Sequence, residues 1–373
     1  MLFLQALLAD LPKFCERFRP LYKNIKITIL PHMETRTKNI TKTDIAVIGA
    51  GPVGLFMVFE AGFLGYKCAV IDSLPHIGGQ LAALYPEKPI YDIPGYPSVL
   101  AGDIVEKLAE QGAPFDPQYI LGNPVSELTE KKDGSFIVGT ATDEVHCKVV
   151  IIAAGMGVFT PRRPPLENLA SFENTSVFYS VQKKAQFADK EIVIAGGGDS
   201  AVDWAVELAA NAKHIHVIHR RNAFRAAEET VRQMRELEAA GKVTIHAPAQ
   251  LSELKGENGQ LETVTIADLD GNKTGLSADT LLCFFGMSPA LGPIHDWNID
   301  LAGKKIAVEA STMETTRKGV LAIGDITDYP GKLDLILTGF AEGAIAAKTA
   351  QGIIDPEKKF KLVYTTSKGV PAA

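Results

Sequence analysis

Two glycine-rich turns carry the clearest chemical signal in this sequence. GAGPVG at residues 49–54 and GGGDSA at residues 196–201 both fit the spacing G-x-G-x-x-G/A. The first glycine of such a turn permits a tight bend, the second lets the backbone approach a pyrophosphate, and the last small residue lets a helix pack on a strand. The N-terminus of that helix then faces the phosphates. The residues predicted to hold phosphate groups are Gly49, Gly51 and Gly54 in the first turn and Gly196, Gly198 and Ser200 in the second.

The two turns are predicted to bind different nucleotides, because the strand that follows each turn ends differently. Asp72 ends the first such strand, whereas His219, Arg220 and Arg221 end the second. A carboxylate accepts hydrogen bonds from a ribose diol and repels a 2′-phosphate, while an arginine pair favours that phosphate. The first site therefore suits FAD or NAD, and the second suits NADP. Arg225, about one helical turn further on, is placed to add a third positive group.

A weaker signal lies near the end of the chain, where Asp325 follows a predicted strand over Val320–Ile323. An aspartate at the carboxyl end of a strand can reach a ligand hydroxyl, although an acidic turn is the simpler alternative. His214, His216 and His219 have metal-like spacing, but no cysteine or carboxylate set accompanies them. We interpret these three as surface or packed histidines and predict no metal site.

Each turn lies inside a strand–turn–helix–strand pattern, which is the context that a dinucleotide-binding unit requires. Beyond the second turn, a helix is predicted over Ala227–Ala240. Its apolar stripe is narrow, so we interpret it as a solvated helix. The predicted fold class is therefore α/β with two Rossmann-like units. Their buried strands are predicted over Ile45–Ile48 and Ala69–Ile71, and again over Ile192–Ala195 and Ile215–Ile218.

The composition excludes several other classes of protein. A length of 373 residues suggests about two domains of typical size. A net charge of −6 without a long basic run argues against nucleic acid as a partner. No window approaches the roughly 18 apolar residues of a membrane span. The four cysteines are far apart, which favours reduced thiols in a cytoplasmic protein.

The first 42 residues differ from the rest of the chain. A short apolar start is followed by TRTKNITKT, which has the composition of a linker. We therefore expect the organised domain to begin near Thr43. Residues 1–32 are expected to be dispensable, and Met33 is a candidate start.

Taken together, these motifs resemble the thioredoxin-reductase-like ferredoxin–NADP reductases, which are flavoproteins with two dinucleotide-binding domains. The likeness runs from about Asp44 to Thr366. It depends on the first glycine turn with Asp72 and on the second turn with HRR. It also depends on the segments GGQLAALYP, IPGYP and GDITDYPGKLDLI.

The resemblance implies that an FAD domain, residues 43–160 and 290–373, contains an inserted NADPH domain, residues 161–289. Asp72 would hold the adenosine ribose, Asp325 would bind the ribityl chain and Thr366 would close the site. Tyr364, two residues before Thr366, is expected to stack on the flavin, in a homodimer on that of the other subunit. A frayed basic tail is the alternative. Gln80 and Tyr85 would line the flavin, and Val125 and Phe159 would add further contacts.

The sequence departs from thioredoxin reductase in one decisive way, because no cysteine lies between Cys147 and Cys283. The redox-active C-x-x-C that precedes the second glycine turn in that enzyme is therefore absent. The resemblance implies hydride transfer from NADPH to FAD and then single electrons to ferredoxin or flavodoxin. The cofactors do this chemistry, so no catalytic side chain is predicted. Two alternatives stay open: a reductase of a quinone, disulfide or free flavin, and a non-enzymatic FAD/NADP sensor.

Overall fold

The computed structural model describes residues 38–371, apart from the side chains at 158–160 and 288–289. Most of the predicted leader, residues 1–37, lies outside the described residues, as do residues 372–373. The described part combines helices with parallel and antiparallel sheets.

The elements are as follows. The α-helices are α1 (Pro52–Leu64), α2 (Gly79–Leu84), α3 (Ala101–Gly112), α4 (Asp199–Leu208), α5 (Glu228–Ala239), α6 (Ile336–Ile354) and α7 (Thr365–Lys368). The 3₁₀ helices are Ala113–Phe115, Leu169–Ser171, Lys184–Phe187, Gly292–Asp296 and Gly324–Ile326. The strands of the first half are β1 (Asn39–Lys42), β2 (Ile45–Ile48), β3 (Cys68–Ile71), β4 (Pro89–Ile90), β5 (Val99–Leu100), β6 (Gln118–Ile120), β7 (Glu127–Glu130), β8 (Phe136–Gly139), β9 (Asp143–Cys147), β10 (Val149–Ile152), β11 (Val158–Pro161) and β12 (Val177–Phe178). Those of the second half are β13 (Glu191–Gly196), β14 (His214–Ile218), β15 (Val243–His246), β16 (Gln250–Glu257), β17 (Gln260–Ala267), β18 (Lys273–Ser277), β19 (Thr280–Phe284), β20 (Met287–Ala290), β21 (Leu301–Ala302), β22 (Lys305–Ala307), β23 (Val320–Ala322) and β24 (Thr327–Asp328).

The first glycine turn belongs to a five-stranded sheet in the order β23-β10-β2-β3-β6. All of its neighbouring strands run parallel, and Ile45 lies opposite Cys68. A strand that is covered on both faces needs an apolar residue at every position. IAVI and CAVI meet this need, and all of their residues are buried. Strand β23 comes from the far end of the chain, so this unit is assembled from both ends of the sequence.

The second glycine turn belongs to another five-stranded parallel sheet, in the order β12-β19-β13-β14-β15. Apolar clusters cover both of its faces, and Trp204 of α4 is buried in one of them. The predicted α/β fold with two Rossmann-type units is therefore confirmed.

The chain crosses between the two sheets on a single antiparallel pair, β11 with β20. Everything that builds the second sheet lies between these two strands in sequence. This pair supports the proposed domain boundaries near residues 160 and 290.

Residues 39–42, which the sequence analysis assigned to the linker, form a strand instead. Strand β1 pairs in parallel with β9, with Asn39 opposite Asp143, and joins a four-stranded sheet in the order β1-β9-β8-β7. Its side chains are mostly exposed, and Ile40 keeps 62% of its surface accessible. The strand is held by backbone pairing and not by apolar burial, so no hydrophobic pattern could reveal it.

Short contacts connect the two units beside α2 and α4. The Val181 N–H donates to the Leu84 carbonyl at 3.2 Å, and the Gln182 amide donates to the Ala83 carbonyl at 2.8 Å. Lys88 pairs with Asp203 on α4. Tyr85 lies between these contacts and packs partly against the apolar cluster of the second unit.

Candidate functional site

The first glycine turn is shaped by close backbone approach. Gly49 has a φ of +111°, and a Cβ there would fall 2.3 Å from the carbonyl oxygen of Ala153. A Cβ on Gly54 would lie 2.0 Å from the Gly49 carbonyl oxygen. Helix α1 then begins with Gly51 as its N-cap and Pro52 in its first turn, so its first N–H groups point at the turn. Only glycine fits at these two positions, because the backbone packs so closely there, whereas Gly51 faces open space in which a pyrophosphate could approach.

Asp72 lies at the end of β3, directly beside this turn. One carboxylate oxygen accepts a hydrogen bond from the Ala50 N–H at 2.6 Å, and the other accepts one from the Leu74 N–H at 2.8 Å. These two bonds fix the carboxylate at the rim of the turn and leave lone pairs on both oxygens. A ribose diol is the kind of ligand that such an acceptor binds.

One cavity gathers most of the residues predicted for the first site. Gly49, Gly51, Asp72, Gln80, Tyr85, Val125 and Asp325 all line it. The side chains of Gln80 and Asp325 face this cavity without a hydrogen-bond partner among residues 38–371. Unpaired polar groups next to an open cleft indicate a ligand that supplies both donors and acceptors.

The electrostatics around Asp325 suit a hydroxyl-bearing ligand. Burial raises the pKa of its carboxyl, and the nearby carboxylate of Asp334 raises it further, whereas Lys332 and Lys305 lower it. Burial also raises the pKa of Tyr85, and Asp325 adds to that shift. The two side chains therefore lie within electrostatic reach of each other across the cavity wall.

These residues fit FAD. The glycine turn with the start of α1 would hold its pyrophosphate, Asp72 its adenosine ribose, and Asp325 its ribityl hydroxyls. Gly79 allows the start of α2 to pack closely on the turn, because a Cβ there would fall 2.9 Å from the Cα of Gly51.

In the second unit, His219 packs directly on the glycine turn. A Cβ on Gly197 would fall 2.2 Å from a carbon of the His219 ring. The ring stacks on Phe224 with centroids 5.2 Å apart, and its Nε2 lies 3.2 Å from the carbonyl of Ala223. The Arg225 N–H donates to the Gly197 carbonyl at 2.7 Å. The segment after β14 therefore folds back over the turn.

This fold-back brings three arginines to one place. Arg220, Arg221 and Arg225 are exposed, and none forms an ion pair with a residue in the described part of the chain. Burial lowers the pKa of His219, the hydrogen bond to Ala223 raises it, and the three guanidinium charges lower it further. Unpaired arginines beside the exposed first turn of α4 form a surface suited to a phosphate.

Gly54, Tyr364 and Thr366, which were also predicted for the first site, do not line the cavity within one chain. Phe159 lies on β11, but its side chain is outside the described residues. Tyr364 and Thr366 are exposed in the C-terminal tail, with Tyr364 66% accessible. Lys368 of the same short helix contacts Phe63 at the C-terminal end of α1. The cavity is at the other end of that 13-residue helix, roughly 18 Å away.

Part of the cavity wall was not predicted from the sequence. Leu291, Pro293 and Ile294 line it and follow directly on the inserted unit, where no motif marks them. Asp334 lines it as well and pairs with Lys305 at 2.6 Å. Of these four residues, only Asp334 lies in a segment that the sequence had singled out, GDITDYPGKLDLI.

His214, His216 and His219, predicted to be surface or packed histidines, are all partly buried. His216 lies 3.1 Å from His246 between ring nitrogens, and His214 Nε2 lies 2.9 Å from the hydroxyl of Thr244. Over residues 38–371, no group of three or more His, Cys, Asp or Glu side chains has the arrangement of a metal site. No helix within that range is long and apolar enough to cross a membrane.

Known proteins match this chain over most of its length. A reductase from Paramagnetospirillum magneticum named ferredoxin–NADP reductase is 50% identical over 331 residues, which cover 88% of this chain and 98% of the relative. A protein of the same name from Wolbachia pipientis wMel is 51% identical over 331 residues, with the same shares covered.

The solved structure of thioredoxin reductase from Lactococcus lactis is similar in fold, with a TM-score of 0.71 at 24% identity, covering 84% of this chain and 99% of that one. The pyridine nucleotide-disulphide oxidoreductase family matches residues 43–344. This chain therefore belongs to the pyridine nucleotide-disulphide oxidoreductase family, beside the relatives named ferredoxin–NADP reductase.

Proposed function

We propose that this protein is a ferredoxin–NADP reductase with FAD in the cavity of the first unit and NADPH on the second. FAD, when bound, would supply the chemistry that converts a hydride from NADPH into two single electrons for ferredoxin or flavodoxin, with the proton released to solvent. The protein's own residues would bind and orient the two nucleotides. Gly49, Gly51, Asp72 and Asp325 would hold FAD.

The observation that carries this proposal is the combination of two nucleotide sites with no thiol pair between them. Cys68, Cys147 and Cys283 are each buried and free. Burial raises the pKa of all three thiols to about 12, so they are not nucleophiles at neutral pH. Electrons that reach the flavin have no described dithiol to receive them and would leave directly to an external acceptor.

On the second unit, the turn at residues 196–201, which includes Ser200, would bind the pyrophosphate of NADPH. Arg220, Arg221 and Arg225 would surround its 2′-phosphate, with His219 supporting the loop. The support is their common position around the start of α4 and the lack, within residues 38–371, of an ion pair that would compete for the arginines.

We further propose that the working form is a cytoplasmic homodimer in which the C-terminal tail of one copy covers the flavin of the other. Its support is the exposure of the tail: Leu362 and Tyr364 keep 62% and 66% of their surface accessible. Within one chain the tail lies at the wrong end of α1 to reach the cavity. Sedimentation equilibrium should give twice the chain mass.

Stopped-flow mixing tests the function. The yellow protein should be bleached rapidly by NADPH under anaerobic conditions and reoxidised by ferredoxin. Bleaching followed by reoxidation only with a quinone, a disulfide or free flavin would identify a different reductase. Binding of NADPH without bleaching would instead indicate a sensor.

A further inference from the structure

A buried ion pair lies directly behind the turn that carries Asp325. Glu342 on α6 and Lys332 form this pair, and their side chains are only 2% and 3% exposed. Neither residue lines the cavity. Replacing a buried ion pair by apolar residues of similar volume is often neutral or stabilising, so stability alone is a weak reason for its presence.

Glu342 uses both carboxylate oxygens. Its Oε2 accepts a hydrogen bond from the Gly324 N–H at 2.6 Å, and its Oε1 accepts one from the Tyr329 hydroxyl at 2.7 Å and another from Lys332 Nζ. Gly324 has a φ of +79° and lines the cavity next to Asp325. The carboxylate of Glu342 therefore fixes the backbone from which the Asp325 side chain extends.

The charges around Asp325 show why a lysine is needed there. Asp334 and Glu342 are the carboxylates that act on it, and Lys332 and Lys305 are the cations. Lys305 is bound by both carboxylate oxygens of Asp334, at 2.6 and 2.7 Å. Tyr85 and Tyr329 complete the titratable groups around it. Because Lys305 is paired with Asp334, loss of Lys332 would leave the carboxylates of Glu342 and Asp325 without a balancing cation. Like charges in a desolvated site promote proton uptake.

We propose that Glu342 and Lys332 are positioning residues for FAD: Glu342 holds the Gly324–Asp325 turn, and Lys332 balances the charge so that Asp325 stays an ionised acceptor for the ribityl hydroxyls. This inference rests on the proposed FAD site. Neither residue touches the cofactor; both act through Asp325.

The test measures FAD release from the holoenzyme against pH, by separating free from bound flavin at a series of dilutions. In the parent protein the dissociation constant should be flat between pH 6 and 8. In Lys332→Met it should rise about tenfold as the pH falls from 8 to 6, because a proton is taken up when FAD leaves. Protonation of Asp325 removes an acceptor from the ribityl hydroxyls, so FAD is bound more weakly.

The double variant Lys332→Met/Glu342→Gln separates charge from shape. The glutamine carbonyl still accepts the Gly324 N–H, and no unbalanced carboxylate is left, so the flat pH profile should return. Lys213→Met is the matched control, because it removes a lysine that pairs with Glu191 at the surface of the second unit. It should leave FAD affinity unchanged at every pH.

Three results would overturn the inference. A flat profile in Lys332→Met would do so, and so would an equal loss of affinity at all pH values, which a merely structural role would produce. If Lys332→Met does not fold, a double variant whose affinity still falls with decreasing pH would overturn it too. Asp325→Asn tests the proposed FAD site itself: unchanged affinity would reject that site, whereas weakened affinity with a flat Lys332→Met profile would reject only this inference.

Discussion

Replacement of the arginines after β14 should change which nucleotide the protein uses. Arg220, Arg221 and Arg225 are exposed and form no ion pair over residues 38–371, so Arg221→Ala breaks no described ion pair of the fold. The variant should therefore lose affinity only for a nucleotide that carries a 2′-phosphate, which NADH lacks. The melting temperature of the variant should therefore equal that of the parent.

The size of the effect follows from one charge-assisted contact. Such a hydrogen bond contributes about 1.5 to 3 kcal/mol, which corresponds to roughly a tenfold to a hundredfold change. Because the guanidinium groups are exposed and two others remain nearby, a single variant should lie near the tenfold end. Arg220→Ala should behave in the same way, and the double variant should lose more.

The assay compares kcat/KM for NADPH and NADH in anaerobic flavin reduction. Arg232→Ala on α5 is the matched control, since it removes an equally exposed arginine that is paired with Glu229 and Glu236. It should leave both nucleotides unaffected. Equal losses for NADPH and NADH in Arg221→Ala, or a loss in the control, would refute the assignment of the 2′-phosphate site.

Three further predictions concern other parts of the chain. Removing residues 358–373, or the change Tyr364→Ala, should leave FAD bound but alter its absorbance and its rate of reduction by NADPH; an unchanged spectrum and rate would show that the tail is not at the flavin. A protein that begins at Met33 should keep its full flavin content and melting temperature, and a drop of several degrees would contradict this. Burial lowers the pKa of His216 to about 4 from 6.5, with His214 and His246 adding to the shift and Glu191 opposing it. Below about pH 6.5 the unfolded chain then binds more protons than the folded protein, so the free energy of unfolding should decrease as the pH falls toward 4. The expected decrease is about 1 kcal/mol after allowance for the half-exposed ring. Thermal melts of His216→Gln should show a smaller decrease than those of the parent.

The features that sequence could predict are those set by neighbouring residues. The glycine turns depend on local backbone geometry, and the buried strands beside them are continuous apolar runs. Asp72 and Asp325 were found because each follows such a strand directly. These signals were enough for the α/β fold and for most of the cavity.

The features that were missed depend on contacts between distant segments. Strand β1 is held by pairing with β9, about a hundred residues away, and its own side chains face solvent. The role of Gly197 is visible only once His219 packs on it. Glu342 lies in a helix of small and apolar residues, where a lone carboxylate gives no sign that it accepts a bond from Gly324.

Tyr85 connects the cavity of the first unit to the apolar core of the second. It lines the FAD cavity, yet it also packs against the core of the second unit. The contacts around it that cross between the units are polar: Lys88 pairs with Asp203, and Glu87 accepts the Lys184 N–H at 2.6 Å. Such partly exposed pairs contribute little to stability, whereas the apolar cores on each side belong to separate sheets. Tyr85 therefore joins the cavity wall to the core of the second unit through its ring, while the hydrogen bonds and the ion pair beside it join the two units through polar groups.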